Sequence, residues 1–194
     1  MNNTRDTIIN AGIGIFLEKG YNGAGLKEIL DAANVPKGSF YHFFKNKEAF
    51  GKEALNYYSE QFTPVLQQFF VESKLSPLAR FEAFFTAMTE LFNTEKNCKG
   101  GCLVGNLAQE LADVNDELRQ CILQIMQSWS RYFKNNLDAA VKAGELANDT
   151  DTQALAEFIL NSWEGALLKM KIVESVAPLE TFQQQISKIL SCYQ

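Results

Sequence analysis

A chain of 194 residues, 46% hydrophobic and 21% charged, is long enough for one medium or two small domains around a sizeable core, within the ordinary range of soluble globular proteins. Its net charge of -5 excludes a broadly basic nucleic-acid coat. Four cysteines and a single histidine, His42, argue against both a disulfide scaffold and a four-ligand zinc site.

The first apolar stretch, Ile8 to Leu17, is short, interrupted by Asn10 and flanked by Arg5-Asp6 and Glu18-Lys19. It predicts an amphipathic helix instead of a membrane span or a targeting signal, and with that a cytoplasmic protein. Next, Leu26, Ile29, Leu30 and Ala33 recur at helical spacing and form one apolar stripe. After Asn34-Val35-Pro36 comes a second short helix in which Phe40, Phe43 and Phe44 point inward. Lys37 with Tyr41, and Gly38 with His42, share the opposite face. Two short helices joined by such a turn predict a helix-turn-helix. Its outward face offers an ammonium, a phenol and an imidazole, with Ser39 near the start, all able to bond phosphates or base edges. Lys45 and Lys47 stand where the next helix begins, a place suited to clamping a phosphate.

The remainder is helical almost throughout. Phe50 to Val71 continues the periodic pattern, with Pro64 predicted to kink or break it. A loop, Glu72 to Ser76, leads to Pro77 at a helix start, followed by Phe81, Phe84, Phe85, Met88 and Phe92 on one apolar face. Asn97 to Gly101 is a turn, and Cys102 opens a helix. Two long segments, 115–143 and 150–173, are separated by residues 144–149, and Pro178 opens the last helix. The fold class predicted is all-α: an N-terminal three-helix helix-turn-helix head, 1–51, and a larger C-terminal helical body, 52–194. Residues 1–51 hold six Lys and Arg against five Asp and Glu, a net of +1, which leaves 12 against 18, a net of -6, for the body. An acidic body with a slightly basic head places DNA at one end.

From Gly25 to Gly51 the chain reads GLKEILDAANVPKGSFYHFFKNKEAFG, and a preceding helix closes on Gly20-Tyr21. This resembles the DNA-binding domain of the TetR family of bacterial repressors over about the first quarter of the chain. Many members carry a Thr just before the first helix of the motif, where Ala24-Gly25 stands here, so a phosphate contact there falls to backbone N–H groups or to Lys27. Gly101-Cys102-Leu103, the head and the segment Lys171 to Glu180 together resemble the NemR-like, electrophile-sensing branch of that family, with Cys102 at the sensing position and Lys171 as its possible cationic neighbour.

The resemblance implies a homodimer that binds a double-stranded DNA operator through Lys27, Lys37, Gly38, Ser39, Tyr41, His42 and Lys47. It also implies release by a small-molecule inducer or an electrophile. Phe85, Met88, Trp129, Phe133 and Trp163 are candidates for an apolar ligand pocket, although rings at helical spacing equally form plain core. Glu164 beside Trp163 is a polar candidate, because a carboxylate in an apolar stripe needs a partner. Dimerisation falls to 154–171 and 179–193, where Ser162, Gly165 and Ala166 permit close helix approach. For Cys102 two readings stand: a thiol activated at a helix N-terminus, or a small hydrophobe at the start of a buried helix. No cofactor, metal site or catalytic residue is expected. Cys98 and Cys102 give only two ligands, and paired carboxylates, phosphate-cradling glycine loops and a Ser/His/Asp set are all lacking. A helical ligand-binding or scaffold protein without DNA binding remains the alternative.

Overall fold

The computed structural model describes residues 4–193, and among them the chain forms nine α-helices and no strand. In chain order these are α1 (Thr4–Gly23), α2 (Leu26–Ala33), α3 (Lys37–Phe43), α4 (Lys47–Phe70), α5 (Pro77–Thr94), α6 (Leu103–Leu111), α7 (Asp116–Lys142), α8 (Thr152–Val173) and α9 (Ala177–Ser191). The all-α expectation, with a helix-turn-helix at the N-terminal end, holds. No helix among the described residues is long and apolar enough to cross a membrane.

Two compact units emerge. The first runs to Phe62 and also takes in Cys102–Met126, so the three helices of the 1–51 head pack with the first part of α4, with α6 and with the first part of α7. The second comprises Thr63–Gly101 and the chain from Gln127 onward.

In the first unit, the rings of Phe16, Phe40, Phe44 and Phe50 form one cluster, with centroids 4.9 Å apart for Phe44–Phe50 and 5.4 Å for Phe40–Phe50. Phe50 lies so close to α1 that a Cβ at Gly12 would collide with its ring, which fixes glycine at that crossing. The turn between α2 and α3 follows from local chemistry. Asn34 adopts the left-handed conformation (φ 54°), and its N–H bonds the carbonyls of Leu30 and Asp31. Asparagine tolerates that backbone, and Pro36 then starts α3 without wasting a donor.

In the second unit, Phe70, Phe81, Phe84, Phe85 and Phe133 are all at least 95% buried and interlock at centroid separations of 5.0–6.2 Å. Pro77 occupies the first turn of α5, as its missing N–H favours. Glu145 accepts the Leu78 N–H at 2.9 Å in that turn. Asn136, 2% exposed, donates to the Pro77 carbonyl at 2.7 Å.

Of the two outcomes expected at Pro64, a kink or a break, the break does not occur: α4 runs from Lys47 to Phe70 with the proline inside it. A proline inside a helix costs roughly 3 kcal/mol. Leu66 and Phe70, 1% and 5% exposed, lie just beyond it, and burying two such side chains returns about 1.5–3 kcal/mol each, enough to carry the helix through.

Candidate nucleic-acid interface and sensing residues

Helix α3 separates its two faces as its spacing dictates. Phe40 is fully buried and Phe44 2% exposed, their centroids 5.2 Å apart, while Phe43 is half-buried with its edge to His42 at 4.8 Å. Lys37, Gly38, Tyr41 and His42 are exposed, Tyr41 by 56%, and Ser39 is half-buried. Lys27 is exposed on α2, and a shallow cleft of about 420 Å³, lined by Leu26, Lys27, Leu30, Val35, Lys37 and Tyr41 among others, runs between the two helices. The structure thus brings Lys27, Lys37 and Tyr41 to one cleft, backed by ring packing that holds α3 in place.

Lys47 is engaged differently. Its Nζ donates to the Tyr21 carbonyl at 2.6 Å and stands 4.5 Å from the centre of the Tyr21 ring. Burial pushes its ammonium pKa down, opposed by the nearby Glu110 carboxylate. Asn46, which sequence reasoning passed over, caps α4 by accepting the Ala49 N–H at 2.8 Å.

The N-cap of α2 is Gly25, in extended conformation (φ −86°, ψ 138°) with no side-chain cap, and a Cβ built there meets nothing within 4 Å. Gly25→Ser is therefore expected to stabilise the fold by a few tenths of a kcal/mol, the usual Gly-to-Ser difference at this position. Chemical denaturation checks this, and a midpoint lower than the parent's contradicts the cap geometry.

The proposed pocket residues all belong to the second unit. Phe85, Met88, Trp129, Phe133 and Trp163 are each 9% exposed or less, and Phe85 contacts the rings of Trp163 and Phe182 at 5.0 and 4.7 Å. Phe85 also lines a groove of about 460 Å³ between α5 and α9, with Phe81, Thr86, Gln183, Ile186 and Leu190 among its other walls. Glu164 is half-buried, and Lys171 is half-buried in the last turn of α8.

Cys102 is the N-cap of α6. Its Sγ accepts the Gly105 N–H at 3.5 Å, and the residue is 7% exposed. The turn before it uses left-handed backbone at Asn97, Cys98, Gly100 and Gly101. Cys121 is buried with its thiol on the Asn56 amide oxygen at 3.4 Å, and burial pushes that thiol's pKa up. Cys192 is exposed.

Residues 8–54 match the family described as bacterial regulatory proteins, tetR family, and residues 77–186 match the tetracyclin repressor-like C-terminal domain. The chain is similar to the transcriptional regulator AcuR of Cereibacter sphaeroides, with 40% identity over 94% of this chain and 83% of that one. It is similar to the repressor DhaR of a Mycobacterium species, with 33% identity over 92% and 87% of the respective chains. The reduced form of Escherichia coli NemR superposes with a TM-score of 0.88 at 27% identity, covering 95% of each chain.

Proposed function

We propose, from the premise that this chain belongs to the TetR family of bacterial transcriptional regulators, that it works as a dimeric repressor. Its two α3 helices read a palindromic operator, and a small molecule bound in the body or modification of Cys102 releases it. The observation that carries the DNA half of this reading is the division of α3, in which buried Phe40 and Phe44 anchor a helix whose exposed face carries Lys37, Tyr41 and His42. Lys27, Gly38 and Ser39 extend the same contact surface, and Lys47 adds a cation at the start of α4.

Dimerisation is supported by α8. Ala154, Phe158, Gly165, Leu168 and Ile172 recur on one exposed face, with Phe158 48% and Ile172 68% open. A stripe of that kind wants a partner, and small residues beside large ones let a second helix approach. Two recognition helices must lie about one DNA turn apart, ~34 Å, so a small change in the bodies is enough to spoil simultaneous docking.

The release half rests on Cys102 as the N-cap of α6, with its Sγ on the Gly105 N–H, and on the likeness to NemR. Phe85, Met88, Trp129, Phe133, Trp163 and Glu164 are the proposed surroundings of a reversible ligand. The test begins with selection of bound genomic duplexes, whose affinity must fall steeply with salt as phosphate contacts demand. Failure to bind any duplex at low salt returns the chain to the scaffold class. On the selected duplex, Cys102→Ser is expected to bind as the parent does and to resist release by N-ethylmaleimide. N-ethylmaleimide release that persists in this variant moves the trigger to another thiol, of which Cys192 is exposed, and a parent that N-ethylmaleimide does not release leaves the reversible ligand as the trigger.

A further inference from the structure

Helix α1 does not end where its hydrogen-bond pattern ends. At Gly20 the backbone leaves helical geometry (φ 74°, ψ 172°), and the reversal aims the next two amides at α6. Glu110 receives both: Oε1 accepts the Tyr21 N–H at 2.9 Å and Oε2 the Asn22 N–H at 3.0 Å. A side chain at Gly20 would be strained by its φ, and a Cβ there would displace this carboxylate from its two amides. The carbonyl of the same residue, Tyr21, accepts the Lys47 ammonium at 2.6 Å.

The chain positions of these contacts matter. Tyr21 lies just before α2, and Lys47 is the first residue of α4, just after α3. The whole helix-turn-helix is therefore closed by the Tyr21–Lys47 bond, and Glu110 fastens that closure to α6. Glu110 sits in the last turn of α6, where the helix field disfavours a carboxylate. Two backbone donors and a nearby cation offset that cost. At the other end of the same nine-residue helix stands Cys102 as N-cap.

We propose that Glu110 is a positioning residue for DNA binding: its carboxylate holds the Tyr21–Asn22 entry of the helix-turn-helix to α6, and the Tyr21–Lys47 bond ties the exit to that entry, so the attitude of α3 toward an operator follows the position of α6. The proposal rests on the reading of the chain as an operator-binding regulator. Glu110 touches no phosphate in this scheme. It acts by pre-organising the reading helix, and its loss leaves α3 free to adopt attitudes that cannot dock two half-sites together.

The test compares the full-length parent, Glu110→Ala and Glu110→Gln on one selected operator duplex, with amide exchange measured on each protein. Glu110→Ala is expected to bind about tenfold more weakly, the loss of roughly one charge-assisted hydrogen bond. Its dependence on salt stays that of the parent, because no phosphate contact is removed. Glu110→Gln, which keeps one acceptor oxygen, falls between. The Tyr21 and Asn22 amides become less protected in Glu110→Ala while those of α8 keep their protection. Unchanged affinity, unchanged protection of the two amides, a changed salt slope, or weakened protection throughout the protein each overturns the proposal. A parent that binds no duplex overturns the functional reading and this proposal together, whereas a parent that binds and variants that bind equally overturn this proposal alone.

Discussion

Phe133→Ala is expected to cost about 3–5 kcal/mol of stability, the range for removing a buried aromatic ring. Phe133 is 2% exposed, and its ring meets those of Phe70, Phe81, Phe84 and Phe85 at 5.2, 5.4, 5.9 and 5.9 Å. Four neighbours held by one another cannot all collapse into the space, so a cavity adds to the missing dispersion attraction. For a chain of 194 residues a loss of this size lowers the unfolding midpoint by on the order of 10 °C, which calorimetry resolves. The measurement also separates two roles. A ring that lines a ligand pocket can be truncated with little loss in the ligand-free protein and a large change in inducer response. A midpoint within about 2 °C of the parent's would remove Phe133 from the core and place it in the pocket.

That ambiguity shows where sequence reading stops. Helical spacing puts Phe81, Phe84, Phe85 and Met88 on one face whether the face meets other rings or an empty cavity, because period reports direction and not what lies opposite. The helix-turn-helix was legible because its signals are local. Asn34 and Pro36 mark the turn, the apolar positions of α2 fall at 3.6-residue spacing, and the paired phenylalanines of α3 fix which side faces out. Cys102 was legible as a helix start because the turn before it is glycine-rich. Glu110 was not, since its partners Tyr21 and Asn22 lie 89 and 88 residues away and no local period announces a bond of that kind. Lys47 reads in sequence as a phosphate clamp, and its bond to the Tyr21 carbonyl, 26 residues away, is a second engagement that local spacing does not announce. Pro64 does not end its helix because propensity concerns one residue, while the burial of Leu66 and Phe70 decides the segment.

The sharpest consequence for function lies on the outer face of α3. Lys37→Ala combined with Tyr41→Ala is expected to weaken operator binding by at least about 100-fold, because each head loses a cation and a hydroxyl and well-placed groups of this kind contribute roughly 1–3 kcal/mol apiece. Folding should survive, since both side chains are exposed and the anchoring of α3 is carried by Phe40 and Phe44. Tyr41 does rest its ring edge-on against Phe40 at 5.4 Å, so truncation removes some packing along with the hydroxyl. Tyr41→Phe separates the two contributions, because it keeps the ring and deletes only the polar tip. If Tyr41→Phe binds as the parent does, the ring's support of Phe40 is what Tyr41 supplies. If it loses affinity at an unchanged midpoint, the hydroxyl meets DNA. The lysine leaves a different signature: an ammonium that pairs with a phosphate lowers the salt slope by about one per head when it is removed, while one that meets a base edge leaves the slope in place and relaxes sequence preference. Operator affinity unchanged in the double variant would mean that this face of α3 does not meet DNA, and the exposed Lys37, Tyr41 and His42 would then be no more than solvated surface.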